Sequence, residues 1–320
     1  MIDALYNKII AGRKITKTDA AAIAGVSIGE MPALFASADR LRQHCRGASV
    51  DLCAIINAKS GACPEDCSYC AQSSRGSADV SVYPLLDKAA VLEKAGEAAA
   101  NGVKRFCIVI SGRKPSKGEL KKIAVMIRSV RDMGLLPCST LGLLDKEELQ
   151  CLRDSGLERY HHNLETSERF FPEICRTHTY YDKLKTIEAV HDAGLSLCSG
   201  GIFGMGETWE DRIDMAFALN KVNADSAPLN FLIPVPGTPL GHRNYMPPFE
   251  ALKIISLYRF IHPQKEIRIC GGRMQVLGEF NSMVFMAGAD SLLTGNYLTT
   301  TGRTYEDDLR LINNCGLSAA

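Results

Sequence analysis

The sequence predicts an α/β protein, specifically a closed (β/α)8 barrel of the TIM type with a helical extension at its N-terminus. Three observations carry that prediction. Eight apolar runs, many of them β-branched, recur near residues 50–56, 105–110, 135–141, 160–166, 195–203, 228–235, 266–270 and 291–298. Between them, segments 87–101, 117–133, 181–193, 209–220 and 248–261 repeat apolar residues at three- and four-residue spacing, the period of an amphipathic helix. Gly102, Gly134 and Gly194 fall where those helices must stop, a position that favours glycine.

Strand alternating with helix makes a parallel sheet, and eight such units are the number that closes a barrel; a doubly wound open sheet is the alternative. No tract rich in Gly, Ser or Pro divides the chain. The expected organisation is a single domain over residues 1–320, with helices over 1–45, the barrel over 46–300 and a C-terminal helix over 301–320. In such a barrel the chemistry sits at the C-terminal ends of the strands.

Composition narrows the class of partner. Thirty-seven basic against 36 acidic side chains leave a net charge of +1, which gives no polyelectrolyte character for nucleic acid or an anionic membrane. The stretch MIDALYNKII mixes charged and apolar residues and lacks a secretory signal pattern, and no apolar run reaches the roughly 18 residues of a bilayer span. The expectation is a cytoplasmic protein acting on a small molecule. In a reducing compartment twelve cysteines are too many for a disulfide framework, so metal ligation or redox chemistry is expected of some of them.

Cys63, Cys67 and Cys70, in GACPEDCSYCA, form CxxxCxxC just past the first predicted strand. Three thiolates on so short a strand-end loop can hold three irons of a 4Fe-4S cube and leave the fourth open. A zinc knuckle is the competing reading, but zinc needs four ligands and nothing nearby supplies the fourth. The spacing resembles the signature of the radical S-adenosylmethionine superfamily. That resemblance implies S-adenosylmethionine on the open iron and Tyr69 near its adenine.

Cys107 in RFCIVIS, Cys138 in LLPCSTLG, Cys198 in LSLCSGG and Cys270 in EIRICGG lie in predicted strands. A lone strand cysteine is usually a small core residue, yet four on different strands of one barrel can converge into a second, buried thiolate site. From about residue 50 to 317 the chain is similar to the biotin synthase family, through GACPEDCSYCAQSSR, HHNLETS, CSGGIFGMGET, PLNFLIPVPGTPL and MVFMAGADS. The resemblance implies a sulfurtransferase that converts dethiobiotin to biotin, with Cys107, Cys138, Cys198 and Arg268 around an auxiliary iron–sulfur cluster that donates sulfur. It also implies a flavodoxin- or ferredoxin-type electron donor and a homodimer. Relatives of the methylornithine synthase or hydrogenase maturase kind, which do not donate sulfur, are the alternative enzyme class, and a zinc- or cluster-binding interaction protein is the non-enzyme alternative.

One departure bears on the auxiliary site. Cys270 stands where familiar members have serine, two residues from Arg268 and so on the same strand face. A thiolate ligates iron far better than a guanidinium that must first lose a proton. An all-cysteine site with a four-iron cluster is therefore favoured over a 2Fe-2S one, with Arg268 as a neighbour.

Strand parity also aligns His161, Asn163 and Glu165, and puts Asn230 with Leu232. Polar groups inside an apolar barrel need partners, which each other or a ligand can provide. By resemblance Asn163 and Glu165 are candidates for the cofactor ribose or the substrate ureido group, and His161 and Asn230 for substrate. Glu165 replaces the family's aspartate and His161 its asparagine. Lys183 and Arg212 are candidates for the cofactor carboxylate. Gly204, with Gly200, Gly201 and Gly206, would let the backbone approach a ligand, though a tight turn explains some of them equally well. Cys45, Cys53, Cys151, Cys175 and Cys315 show no partner pattern and receive no role.

Overall fold

Ten strands, all pairing in parallel and most of them buried on both faces, form in a computed structural model that describes residues 1–299 and 302–320. They are β1 (Ser49–Lys59), β2 (Arg105–Ile110), β3 (Leu136–Thr140), β4 (Arg159–His161), β5 (Ser196–Cys198), β6 (Gly201–Phe203), β7 (Ser226–Phe231), β8 (Glu266–Ile269), β9 (Ser291–Leu293) and β10 (Ser318–Ala319). The order β1-β2-β3-β4-β5-β7-β8-β9 returns to β1, which pairs with β9, so the barrel closes. β6 continues the β5 segment along β7, and β10 extends β1 at its start.

Helices cover the outside. Lys88–Ala100, Lys117–Asp132, Tyr180–Asp192, Trp209–Lys221 and Pro248–Ile261 match the periodic segments of the sequence. Several start at a reciprocal capping box, as where the Ser116 hydroxyl accepts from the Glu119 amide and Glu119 accepts from the Ser116 amide. Gly102, Gly134 and Gly194 do follow helix ends, each with positive φ. The N-terminal helices Ile2–Ile10, Lys17–Ala24 and Met31–Arg46 pack outside the barrel, the last two against Pro248–Ile261. Among the described residues no single helix is long and apolar enough to cross a membrane.

Four expectations are corrected. Strand β4 ends at His161, whereas 160–166 was expected. The run 195–203 is two strands, because the chain steps at Ser199–Gly200 where a Cβ on Gly200 would lie 1.9 Å from the Pro228 carbonyl oxygen. A further helix, Lys146–Asp154, sits between β3 and β4. The C-terminal helix spans only Tyr305–Asn314 before β10, and the expected boundary at residues 300 and 301 lies outside the described residues.

A buried ion pair fastens the barrel seam. Arg259, fully buried, meets Asp290 at 2.5 Å and donates to the Gly288 carbonyl, while Asp290 also accepts from the Ile267 amide at the start of β8. Arg46 also meets Asp290 at 2.6 Å, so the pair is broken from the acidic side: Asp290→Asn strands the buried Arg259 charge and is expected to lower unfolding free energy by about 3–5 kcal/mol in chemical denaturation. A loss below about 1 kcal/mol, the level of a surface pair, would show that the pair does not hold the seam.

Candidate active site

Residues two apart on each strand point into the barrel, and at its C-terminal end they open into a cavity of about 420 Å³. Two groups of thiols line it. At the more exposed end are Cys63, Cys67 and Cys70, on the loop after β1. At the buried end are Cys53, Cys107, Cys138, Cys198 and Cys270, with Arg268.

The loop is wound tightly. Gly61 and Ala62 both have positive φ, turning the chain out of β1, and the Gln72 side chain accepts from the Gly61 amide. The Cys63 amide donates to the Gln72 carbonyl and the Ser74 amide returns to Cys63, closing the loop on itself. Its far side is tied to residues 174–178: the Ser68 amide donates to the Ile174 carbonyl, and Asp66 accepts from the amides of Arg176 and Thr177.

The buried thiols owe their convergence to register. Cys107 stands opposite Cys138 across β2 and β3, and Cys198 opposite His161 across β5 and β4. Cys53, given no role from the sequence, lies opposite Leu293 of β9 and faces the same space as Cys107, Cys138 and Cys270. Burial pushes the Cys53 thiol up to about 12 and Cys198 up to about 11. It raises Cys270 as well, so these groups hold their protons until a metal displaces them. Cys138 is shifted the other way, by a hydrogen bond from Cys107 and by the nearby charges of Arg105, Arg159 and Arg268.

An ionic layer underlies the thiols. Arg268 donates to Ser291 Oγ at 2.7 Å and Asp51 at 2.6 Å and also pairs with Glu266, which bonds Arg159 at 2.9 Å. Two carboxylates against its guanidinium hold Arg268 well above the ordinary arginine range, firmly in its charged form.

The polar candidates occupy the middle of the cavity. His161 Nδ1 lies 2.8 Å from Thr140 Oγ1, and burial lowers the imidazole to about 4, so it is neutral. Asn163 accepts from the Gly200 amide at 3.1 Å and donates to Glu165 at 3.3 Å. Asn230 donates to the Gly201 carbonyl and accepts from the Gly271 amide. Tyr69 reaches the same space from the loop.

Strand parity gives the right direction for Asn163 and Glu165, but for another reason. Both lie past the end of β4, and Glu165 turns inward through a positive φ of 71° fixed by backbone bonds to Gly200 and Ile202. Gly200 and Gly201 are needed for neighbouring backbone, since a Cβ on Gly201 would sit 2.3 Å from the Glu165 carbonyl oxygen. Gly204 does not line the cavity; its amide donates to Glu207. Lys183 is buried beside Phe171, also outside the lining. The Arg212 guanidinium is committed to Glu207 and Glu250.

Eight thiols on one cavity, three on a loop, four on strands and Cys270 just past β8, are a donor set for iron–sulfur groups, which take thiolates as their ligands. The loop set by itself is one short of a closed zinc site, but the expectation that nothing nearby supplies a further donor is corrected: Cys175 and His178, folded back from residues 174–178, bring ligand atoms within 4.8 Å of one another and of the Cys67 sulfur. The residues present fit both clusters.

A parallel barrel carrying this loop defines a radical S-adenosylmethionine protein, and residues 58–219 match the sequence model of the Radical SAM superfamily. Residues 228–318 match the Biotin and Thiamin Synthesis associated domain. The chain is 55% identical over 284 residues to the biotin synthase of Thermodesulfovibrio yellowstonii, covering 89% of this chain and 90% of that protein. It is 46% identical over 321 residues to the biotin synthase of Trichlorobacter lovleyi, covering 100% and 96%. The chain belongs to the biotin synthase family, which implies a 4Fe-4S cluster and S-adenosylmethionine. Among solved structures it is similar to methylornithine synthase PylB, with a TM-score of 0.84 and 21% identity over 99% of this chain and 97% of that one. The hydrogenase maturase HydG of Carboxydothermus hydrogenoformans gives 0.83 and 16%, covering 99% and 78%. At those identities the likeness establishes the fold alone.

Proposed function

We propose that this chain converts dethiobiotin to biotin, with Cys63, Cys67 and Cys70 holding the 4Fe-4S cluster and the strand thiols holding an auxiliary cluster. The observation that carries the reading is that both thiol sets open into one cavity, so a substrate lying between them can face both. When bound, S-adenosylmethionine and the loop cluster supply the 5′-deoxyadenosyl radical that takes hydrogen from dethiobiotin, and the auxiliary cluster supplies the sulfur.

The residues do the positioning. Asn230, fixed by the Gly201 carbonyl and the Gly271 amide, presents an amide edge suited to a ureido group, and Asn163 with Glu165 presents donors and acceptors for ribose or ureido. His161, neutral and bonded to Thr140, adds a further polar contact with substrate. Tyr69 offers its ring to an adenine, while Ile55, Val109 and Leu293 keep the substrate chain out of water. The continuous sheet supports a single barrel domain. A flavodoxin- or ferredoxin-type donor and a homodimer complete the proposal.

For the auxiliary site we favour thiolate ligands over arginine, and a four-iron cluster over a 2Fe-2S one. Arg268 is tied to Asp51 and Glu266, and a guanidinium so held cannot give up the proton that iron binding requires. Cys53 joins Cys107, Cys138, Cys198 and Cys270, so the thiols suffice without it.

The experiment is a comparison of two variants. Cys270→Ser is expected to lower auxiliary iron occupancy and cut biotin yield about tenfold, the scale of effect for altering a metal's immediate surroundings, while 5′-deoxyadenosine release stays near the parent rate. Arg268→Met should perturb the Mössbauer spectrum of the auxiliary cluster less. The reverse ranking would make Arg268 the ligand.

A further inference from the structure

Residues 174–178 fold a second group of metal ligands against the loop, and the proposed reaction uses only Cys67 of it. Cys67, Cys175 and His178 each bring a ligand atom within 4.8 Å of the others. The Cys67 thiol donates to the Cys175 sulfur at 3.8 Å, and Cys175 Sγ lies 3.3 Å from Nδ1 and 3.7 Å from Nε2 of His178. A tetrahedral zinc with Zn–S of about 2.3 Å and Zn–N of about 2.0 Å sets two sulfurs about 3.8 Å apart and a sulfur and a nitrogen about 3.5 Å apart. The spacing is already that of zinc ligands.

The surroundings point the same way. His178 Nδ1 lies 2.5 Å from Glu65 Oε2, and a carboxylate accepts, so Nδ1 carries the proton and Nε2 is left for a metal. Imidazoles that ligate metals are held in this way by a carboxylate at their other nitrogen. Glu65 is itself fixed by Thr177 Oγ1 at 2.6 Å. Asp66 Oδ1 accepts from Cys175 at 3.3 Å and from the amides of Arg176 and Thr177, so it holds the segment in place and adds negative charge beside the group. Cys67, His178 and Glu65 line the cavity, which gives a cation its way in. Among the described residues neither Cys63 nor Cys70 joins the three, which leaves a fourth tetrahedral position to water.

We propose that Cys67, Cys175 and His178 Nε2 bind one Zn2+ before the loop cluster is assembled, with the two thiol protons passing to solvent. A Cys67 sulfur held by zinc is withheld from iron, and mixed nitrogen and sulfur donors bind zinc more tightly than ferrous iron. The zinc form is then closed to loop-cluster assembly until the metal is removed. That exclusion rests on the reading that Cys67 is a ligand of the loop cluster; the zinc site itself does not.

The test uses the full-length chain before cluster reconstitution, with Cys107, Cys138 and Cys198 changed to alanine so that the buried thiols do not compete for the probe. Zn2+ alone is titrated in and counted after desalting, and Co2+ in its place reports tetrahedral thiolate ligation in the visible spectrum. About one metal per chain is expected. Cys175→Val and His178→Phe should each lose it, with circular dichroism showing that they fold, and Cys63→Ser combined with Cys70→Ser should keep it. Glu65→Gln leaves all three ligands in place and should weaken zinc binding about tenfold or more, a check that survives if either ligand variant does not fold. Metal retained in the ligand variants overturns the site, as does metal lost with Cys63 and Cys70, which would place it on the loop alone. In the second arm, one equivalent of Zn2+ added before iron and sulfide should block loop-cluster iron in this background and not in its Cys175→Val variant. A full loop cluster assembled with the zinc still bound would remove Cys67 from the cluster ligands, a failure of the proposed function, whereas ligand variants that bind zinc as before overturn only the zinc site.

Discussion

Replacing Cys63, Cys67 and Cys70 together with alanine is expected to abolish reductive cleavage of S-adenosylmethionine. Formation of 5′-deoxyadenosine should fall by at least about three orders of magnitude, equivalent to about 4 kcal/mol in the barrier. The reason lies in the ligand count: the loop brings three thiols to the exposed end of the cavity, and without them Cys175 and His178 beside it are too few to hold a cluster. The strand thiols are an independent set on β1, β2, β3 and β5 and just past β8, so auxiliary iron should survive in the triple variant. Nucleoside formation at the parent rate would remove the loop from the reaction.

The converse substitution separates the two halves of the chemistry. With Cys107, Cys138 and Cys198 changed to alanine, biotin formation should drop by more than about three orders of magnitude while 5′-deoxyadenosine is still released. Three of five buried thiols are gone in that variant, and those left, Cys53 and Cys270, are too few to close a cluster. Quantifying both products by mass spectrometry in the same reaction checks this. Biotin formed at more than a few per cent of the parent yield would mean that sulfur comes from elsewhere. A lower yield of both products in parallel would mean that the substitutions damaged the barrel.

The fold was largely legible because its strands and helices differ so plainly in period. The run RFCIVIS becomes β2 with the expected bounds, and the glycines after three helices sit at their ends with the positive φ their position requires. Shorter elements were harder. The helix Lys146–Asp154 is nine residues of mainly polar sequence, and its start rests on the Asp145–Glu148 capping box. The break between β5 and β6 follows from Gly200 packing against the Pro228 carbonyl, a contact that sequence spacing does not encode.

In the site, the loop triad and four strand cysteines announced themselves by motif or by strand position. Cys53 did not, because β1 is buried on both faces and shows no alternation that marks which residues look inward. Counting by twos from Ile55, which lines the cavity, would have found it. Cys175 and His178 carry no motif at all; they meet Cys67 only because residues 174–178 fold back on the loop, as the pairing of Ser68 with Ile174 shows. Arg212 misled for the opposite reason. A conspicuous basic residue near the glycine-rich turn, it is spent on Glu207 and Glu250.

The central claim is that the cluster held by the strand thiols is the source of the inserted sulfur. It is tested most directly by reconstituting the protein anaerobically with isotopically labelled sulfide, exchanging it into unlabelled buffer, and running a single turnover with dethiobiotin and S-adenosylmethionine. The expected result is biotin that carries the label in parent protein, with auxiliary iron lost as product forms, and no labelled biotin from the Cys107, Cys138 and Cys198 variant. Unlabelled biotin formed with the labelled auxiliary cluster still intact would contradict it.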